Sequence, residues 1–225
     1  MNEQSLPLSA LDAYAPVQPE KADALLKEAL EGQRDKIVVI DDDPTGVQTV
    51  HGIHVYTDWT EQSILEGFEE ENRMFFLLTN SRSMTQKETR EVHEQIARGV
   101  MKASRATGKP FVIISRSDST LRGHFPLETE TLRQEIERAG GQPYDGEILC
   151  PFFCEGGRYT LGNVHYVKEG DRLVPAGETE FARDRSFGYT HSRLDEWCEE
   201  KTGGAYPASG TTCIPLEMLR ELDAD

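Results

Sequence analysis

Positive charge is scarce in this sequence. Its 225 residues carry 24 Lys and Arg against 40 Asp and Glu, a formal net charge of −16. That balance argues against a nucleic-acid partner, because a phosphate backbone needs Lys and Arg gathered on one face. It argues equally against docking on an anionic membrane surface. Long apolar runs are missing too, so no segment is expected to span a bilayer. The polar stretch 1–33 has no apolar signal region, and residues 1–35 read as an N-terminal leader. Cysteine is sparse: Cys150, Cys154, Cys198 and Cys213. The first two form a C-x3-C pair with no second Cys/His pair at zinc spacing, so the expectation is no metal site and reduced thiols in a cytoplasmic protein. There is no G-x-x-x-x-G-K-[ST], no G-x-G-x-x-G after a strand and no G-x-S-x-G. What remains is 37% hydrophobic and 28% charged, a globular composition.

The apolar pattern alternates between strands and helices. Lys36-Ile37-Val38-Val39-Ile40 is a short β-branched run suited to a buried parallel strand. Gly52–Tyr56, Met74–Leu78, Phe111–Ile114 and Glu147–Cys150 read as further strands. Leu25, Leu26, Ala29 and Leu30 share one face of a short helix in the leader. A longer helix is predicted over Thr85–Ala106, with Val92, Ile96, Val100 and Ala103 at helical spacing, and another over Pro126–Ala139. From Arg158 the style changes to a β-hairpin, Asn163–Pro175, turning at Glu169-Gly170-Asp171, followed by helices over Arg193–Lys201 and Pro215–Leu222. The expected fold is α/β: a three-layer domain on a parallel sheet with helices on both faces, and a C-terminal portion containing the hairpin.

Four of these strands end in polar clusters. In a parallel sheet the strand C-termini share one edge, where ligands bind, so the clusters should converge. The set is Asp41, Asp42, Asp43, Thr45, Asn80, Ser81, Arg82, Arg116, Asp118, Ser119, Arg122 and Arg158. Adjacent carboxylates can accept hydrogen bonds from polyol hydroxyls, and one can act as a general base. They can also coordinate Mg²⁺ or simply cap a turn. Arg82, Arg122 and Arg158 are two-pronged donors suited to a carboxylate, or to surface ion pairs. His124 and His165 are open to a proton relay or to local hydrogen bonds. Phe152, Phe153, Trp59 and Trp197 read as core or pocket wall. On chemistry alone this is a pocket for a small polyhydroxylated acid.

The same residues resemble the four-carbon acid sugar kinase family. Asp42-Asp43-Pro44-Thr45-Gly46 resembles its D-D-x-T-G motif, Thr79-Asn80-Ser81-Arg82 its T-x-S-R segment, and Asp118-Ser119-Thr120-Leu121-Arg122-Gly123 its D-S-T-L-R-G signature. Pro151 through Gly157-Arg158-Tyr159-Thr160 is similar to its proline-led G-R-x-T segment. The resemblance implies that residues 36–225 are the sugar-acid-binding half of a kinase that phosphorylates the terminal hydroxyl of threonate, erythronate or 3-oxo-tetronate. A nucleotide-binding domain, in cis or in trans, would be the partner and would hold ATP and Mg²⁺. Asp42 and Asp43 would grip hydroxyls, one serving as base. Thr45, Ser81, Arg82, Asp118, Ser119, Arg122 and Arg158 would complete substrate binding. Asp41 and Arg116 depart from the family pattern, as do Cys154-Glu155 and Tyr189–Ser192. Three matters stay open: a homo-oligomer, a non-catalytic acid-binding or sensor role, and a metal-using hydrolase or aldolase.

Overall fold

The computed structural model describes residues 4–221, with Thr49 by its backbone only. In chain order the regular elements begin with β1 (Leu6–Pro7), α1 (Pro19–Leu30), β2 (Lys36–Asp41), β3 (Val55–Tyr56) and α2 (Glu61–Glu69). They continue with β4 (Met74–Leu78), α3 (Gln86–Thr107), β5 (Phe111–Arg116) and α4 (Leu127–Arg138). The last are β6 (Arg158–Leu161), β7 (Val164–Glu169), β8 (Arg172–Pro175), α5 (Leu194–Lys201) and α6 (Leu216–Glu221). The described chain forms two units, one of residues 34–118 and 123–147, the other of residues 4–33, 119–122 and 148–221.

The first unit is built on a parallel sheet of order β3-β4-β2-β5. Strand β2 is central, which suits its run of β-branched residues. Alternate residues Val38 and Ile40 of β2, and Phe75 and Leu77 of β4, join Ile64 and Phe68 of α2, Ile96 and Val100 of α3, and Leu132 and Ile136 of α4 in one core cluster. The helices α2, α3 and α4 thus share a core with one set of alternating strand residues, as the two-residue period of a strand dictates. Each large side chain fully buried here contributes roughly 1.5–3 kcal/mol. Helix α3 starts at a reciprocal cap: the Glu88 amide donates to the Thr85 hydroxyl oxygen, and the Thr85 amide donates to the Glu88 carboxylate. Such a cap is worth about 1 kcal/mol. It fixes the point where the chain leaves the β4 loop.

The second unit carries an antiparallel sheet of order β1-β8-β7-β6. Its β7–β8 hairpin turns at Gly170, which takes φ 62°, a left-handed conformation that costs glycine little. Leu161, Tyr166 and Leu173 form its core, against which Leu6, Leu8, Leu11 and Tyr14 pack. Residues expected to be a leader therefore belong to this unit: Leu6 pairs with Leu173, and Pro7 with Arg172.

The α/β class, the parallel sheet flanked by helices and the separate hairpin portion are as expected. One strand is not. Glu147–Cys150 is irregular rather than extended in a ladder, and Ile148 is 89% exposed. A β-branched apolar run becomes a strand only where a neighbour pairs and covers it, and this segment has neither among the described residues. The last predicted helix runs over Leu216–Glu221, with Leu222 outside the described residues. Among the described residues no helix is long and apolar enough to cross a membrane.

Candidate functional site

In the parallel unit, the C-terminal ends of β2, β4 and β5 bring an acidic turn against two arginines. Asp41 ends β2 and is completely buried. Arg116, paired with it across the β2–β5 ladder, places Nη1 3.3 Å from Asp41 Oδ1. The same Nη1 is 3.9 Å from Asp42 Oδ1 and 3.7 Å from Asp43 Oδ1, so one guanidinium serves three carboxylates. Arg82, in the turn after β4, grips Asp42 with two prongs: Nε to Oδ2 at 2.8 Å and Nη2 to Oδ1 at 2.6 Å. Its Nη1 donates to Asp43 Oδ2 at 2.5 Å. The Ser117 hydroxyl adds a third donor to Asp42, at 3.0 Å. Bidentate, charge-assisted pairs of this kind are the strong ones.

The two glycines of the motifs are explained by Asp41 and by the Ser117 hydroxyl. A Cβ on Gly46 would stand 2.0 Å from Asp41 Oδ2, so the carboxylate packs where only hydrogen fits. Gly123 has φ 137°, and a Cβ there would lie 2.4 Å from the Ser117 hydroxyl. Asn80, in the loop between β4 and Arg82, takes φ 57°, a left-handed conformation that asparagine tolerates better than most residues.

The three carboxylates differ. Burial pushes Asp41 up to about 6, with Arg116 pulling it back. Burial also raises Asp42, against the Arg82 fork and the Ser117 hydroxyl. For Asp43 burial again acts upward, but the Thr45 hydroxyl and amide outweigh it, helped by Arg82 and Arg116, and the carboxyl sits below the ordinary range. Asp43 is also the most accessible of the three, its side chain 18% exposed against 2% for Asp42. Thr45 is turned onto Asp43, its amide 2.6 Å from Oδ1. Asp118 contributes a further negative field on Arg82. Ser81 is fully buried, its hydroxyl donating to Glu128 at 2.6 Å.

The antiparallel unit holds the rest of the expected set. Arg122 and Arg158 both lie over the ring of Phe181, their guanidinium carbons 5.0 Å and 5.6 Å from its centroid. Arg122 Nε donates to the Thr120 hydroxyl at 3.1 Å. Arg158 donates to the Gly156 carbonyl, and its buried Nε has no hydrogen-bond partner among the described residues. The Ser119 carbonyl accepts from His165 Nε2 at 2.7 Å. That bond makes Nε2 the protonated nitrogen, so the Thr160 hydroxyl donates to Nδ1. His165 is fully buried. His124 donates from Nε2 to the Met84 carbonyl at 3.0 Å.

The sequence therefore resolves into two sets. Asp41, Asp42, Asp43, Thr45, Arg82, Arg116 and Asp118 gather in the parallel unit. Ser119, Arg122 and Arg158 belong to the antiparallel one. Phe181 and Ser117 were missed: Phe181 is an isolated aromatic in a polar stretch, and Ser117 sits outside the recognised signature. The carboxylates of the acidic turn do not fit a Mg²⁺ ion. All three carboxylates already face guanidinium groups, and among the described residues no group of three or more His, Cys, Asp or Glu is disposed to hold a metal ion.

Compared with known families, residues 37–221 match the sugar-binding N-terminal domain. This chain belongs to that family. It is the N-terminal domain of the four-carbon acid sugar kinases, and membership gives the chain a sugar-binding role. The match spans both units. No curated protein matches the chain.

Proposed function

We propose that this chain is the substrate-binding half of an ATP-dependent kinase that phosphorylates the terminal hydroxyl of a four-carbon sugar acid. The observation that carries the reading is the match to the sugar-binding family over residues 37–221. The geometry supports it. Asp43 is the accessible carboxylate of the acidic turn and is held ionised, which makes it a good acceptor for a hydroxyl and a weak base. Its role is to orient the hydroxyl rather than to strip its proton. Asp42, locked by Arg82 and Ser117, fixes the turn from which Asp43 projects. Arg122 and Arg158 are the carboxylate-binding groups, since guanidinium presents a planar pair of donors. ATP and Mg²⁺ belong to a nucleotide-binding domain, in cis or in trans, and this half presents the acceptor. It works in the cytoplasm.

Calorimetric titration with threonate, erythronate and 3-oxo-tetronate tests the reading. One acid should bind, and Asp43→Asn and Arg122→Ala should each weaken it at least ~10-fold, about 1.4 kcal/mol. Binding that is indifferent to both substitutions overturns the assignment of roles. Binding without phosphorylation in the presence of a nucleotide-binding partner and ATP turns the kinase half into a sensor domain.

A further inference from the structure

Beneath the acidic turn lies a second polar cluster that the proposed function does not use. Glu128, in the first turn of α4, is 3% exposed, and His93 in the middle of α3 is 1% exposed. His93 Nδ1 lies 2.7 Å from the Thr89 carbonyl, an acceptor only, so Nδ1 carries a proton. Its other nitrogen, Nε2, faces Glu128 Oε1 at 3.9 Å. That is too long for a hydrogen bond. An ionised Glu128 opposite a neutral His93 would put a carboxylate against a lone pair in a dry interior. One proton on the carboxyl removes the conflict.

Glu128 is tied to the site above it. Its Oε1 accepts from the Ser81 hydroxyl. The Ser81 amide donates to the Thr79 hydroxyl at 3.2 Å, and that hydroxyl donates to the Asp41 carbonyl at 2.9 Å. Ser81 is followed directly by Arg82, whose amide donates to the Asp42 carbonyl at 3.2 Å. The charged groups around Glu128 are therefore Asp42 from the end of β2, Arg82 from the turn after β4, His93 from α3, and His124 from the loop before α4, whose field falls on His93.

We propose that Glu128 is a positioning residue: a buried, protonated carboxyl that faces the neutral His93 and, through Ser81, sets the Arg82 fork on Asp42. Burial acts in the same sense, holding Glu128 up to about 7 and His93 down to about 4, so the neutral pair prevails over an ion pair below neutrality. Loss of the proton leaves a carboxylate facing Asp42 and the His93 lone pair, with the Ser81 hydroxyl as its hydrogen-bond donor. The functional consequence rests on the proposed role of the acidic turn, but the test needs no ligand, so the two readings fail separately.

The test follows the Arg82 Nε–H signal in ¹H–¹⁵N spectra of the full chain, identified by its loss in Arg82→Lys, over about pH 5 to 9. Carboxyl carbons are observed in parallel on ¹³C-labelled glutamate. In the native chain, one glutamate carbon should titrate with a midpoint near 7, and the Arg82 signal should shift with the same midpoint. In Glu128→Gln, which keeps an acceptor for Ser81 and cannot ionise, that step should vanish while the Arg82 signal stays in place. In Ser81→Ala the Arg82 step should shrink at least ~2-fold while the carbon still titrates. An Arg82 step that persists in Glu128→Gln overturns the inference. So does a native chain in which no glutamate carbon titrates above about 6, a result that stands even if the variants fail to fold.

Discussion

Arg82 and Arg116 in the parallel unit commit their N–H groups to Asp41, Asp42 and Asp43, whereas Arg122 and Arg158 in the antiparallel unit lie over the ring of Phe181. The two arrangements have different physical consequences. An arginine paired with a buried carboxylate is fixed, and removing it leaves an uncompensated charge. A ring contact uses the face of a guanidinium and not its N–H edge, at about 0.5–2 kcal/mol. The first kind of arginine shapes a turn. The second kind is packed by its face, with Arg122 Nε on the Thr120 hydroxyl and an Arg158 N–H on the Gly156 carbonyl, and in the proposed function this pair meets the incoming acid. Substitutions should therefore hit stability in one unit and binding in the other.

The largest effect is expected at Arg82. Arg82→Ala strands Asp42, which is 2% exposed, and should cost about 3–5 kcal/mol in urea unfolding. A loss below about 1 kcal/mol would mean that Arg116 and Ser117 suffice to hold Asp42, and would erase the contrast between the units.

Next in size is a pH dependence set by Asp41. Its folded-state value of about 6 lies above the ordinary 3.8, so the folded state holds the proton more tightly. The stabilisation from that proton is complete below about pH 4, declines as pH rises, and is gone above about pH 6. The decline amounts to at most about 3 kcal/mol. Unfolding midpoints of the native chain and Asp41→Asn across that window should therefore diverge, the variant lacking this component. Parallel pH profiles would show that Arg116 keeps Asp41 ionised throughout.

How far such features were legible in sequence depends on what kind of force produces them. The strands Lys36–Asp41 and Met74–Leu78 and the helix after Thr85 follow from periodicity and capping, which are local. The gathering of Asp41–Asp43 with Arg82 and Arg116 followed from one topological rule about parallel sheets. Glu147–Cys150 failed because strand formation depends on a partner that no local pattern reveals. The Ser81 environment was not legible either: a serine in a ligand-like motif looks the same whether its hydroxyl meets solvent or a buried Glu128. Glu128 itself reads as an ordinary acid in the first turn of a helix. Phe181 carries no motif at all, yet it is what Arg122 and Arg158 share.

In the antiparallel unit the expected loss is one of affinity. Arg158→Ala should weaken sugar-acid binding ~10-fold, about 1.4 kcal/mol, while shifting stability by less than about 1 kcal/mol. Phe181→Leu should keep the fold and weaken binding in the same direction, because the guanidinium groups lose their shared support. Calorimetry beside urea unfolding separates the two readouts. If Arg158→Ala costs stability instead, Arg158 is a packing residue and the difference between the units disappears.

The smallest effect is expected at Asn80, and it tests whether the acidic turn depends on backbone as well as on charge. Asn80 holds φ 57° and ψ 29°, and its side-chain amide donates to the Ser83 hydroxyl at 3.1 Å. Glycine accepts the left-handed conformation without steric cost but loses that bond and gains freedom in the unfolded chain. These contributions oppose one another, so Asn80→Gly should move the unfolding free energy by no more than about 0.5 kcal/mol. Alanine has neither glycine's freedom nor the amide, and Asn80→Ala should cost about 1–2 kcal/mol. The order of the two variants is the informative result. Glycine above alanine means that the left-handed step delivering Arg82 to Asp42 is set by backbone sterics. Equal losses mean that the bond to Ser83 holds it.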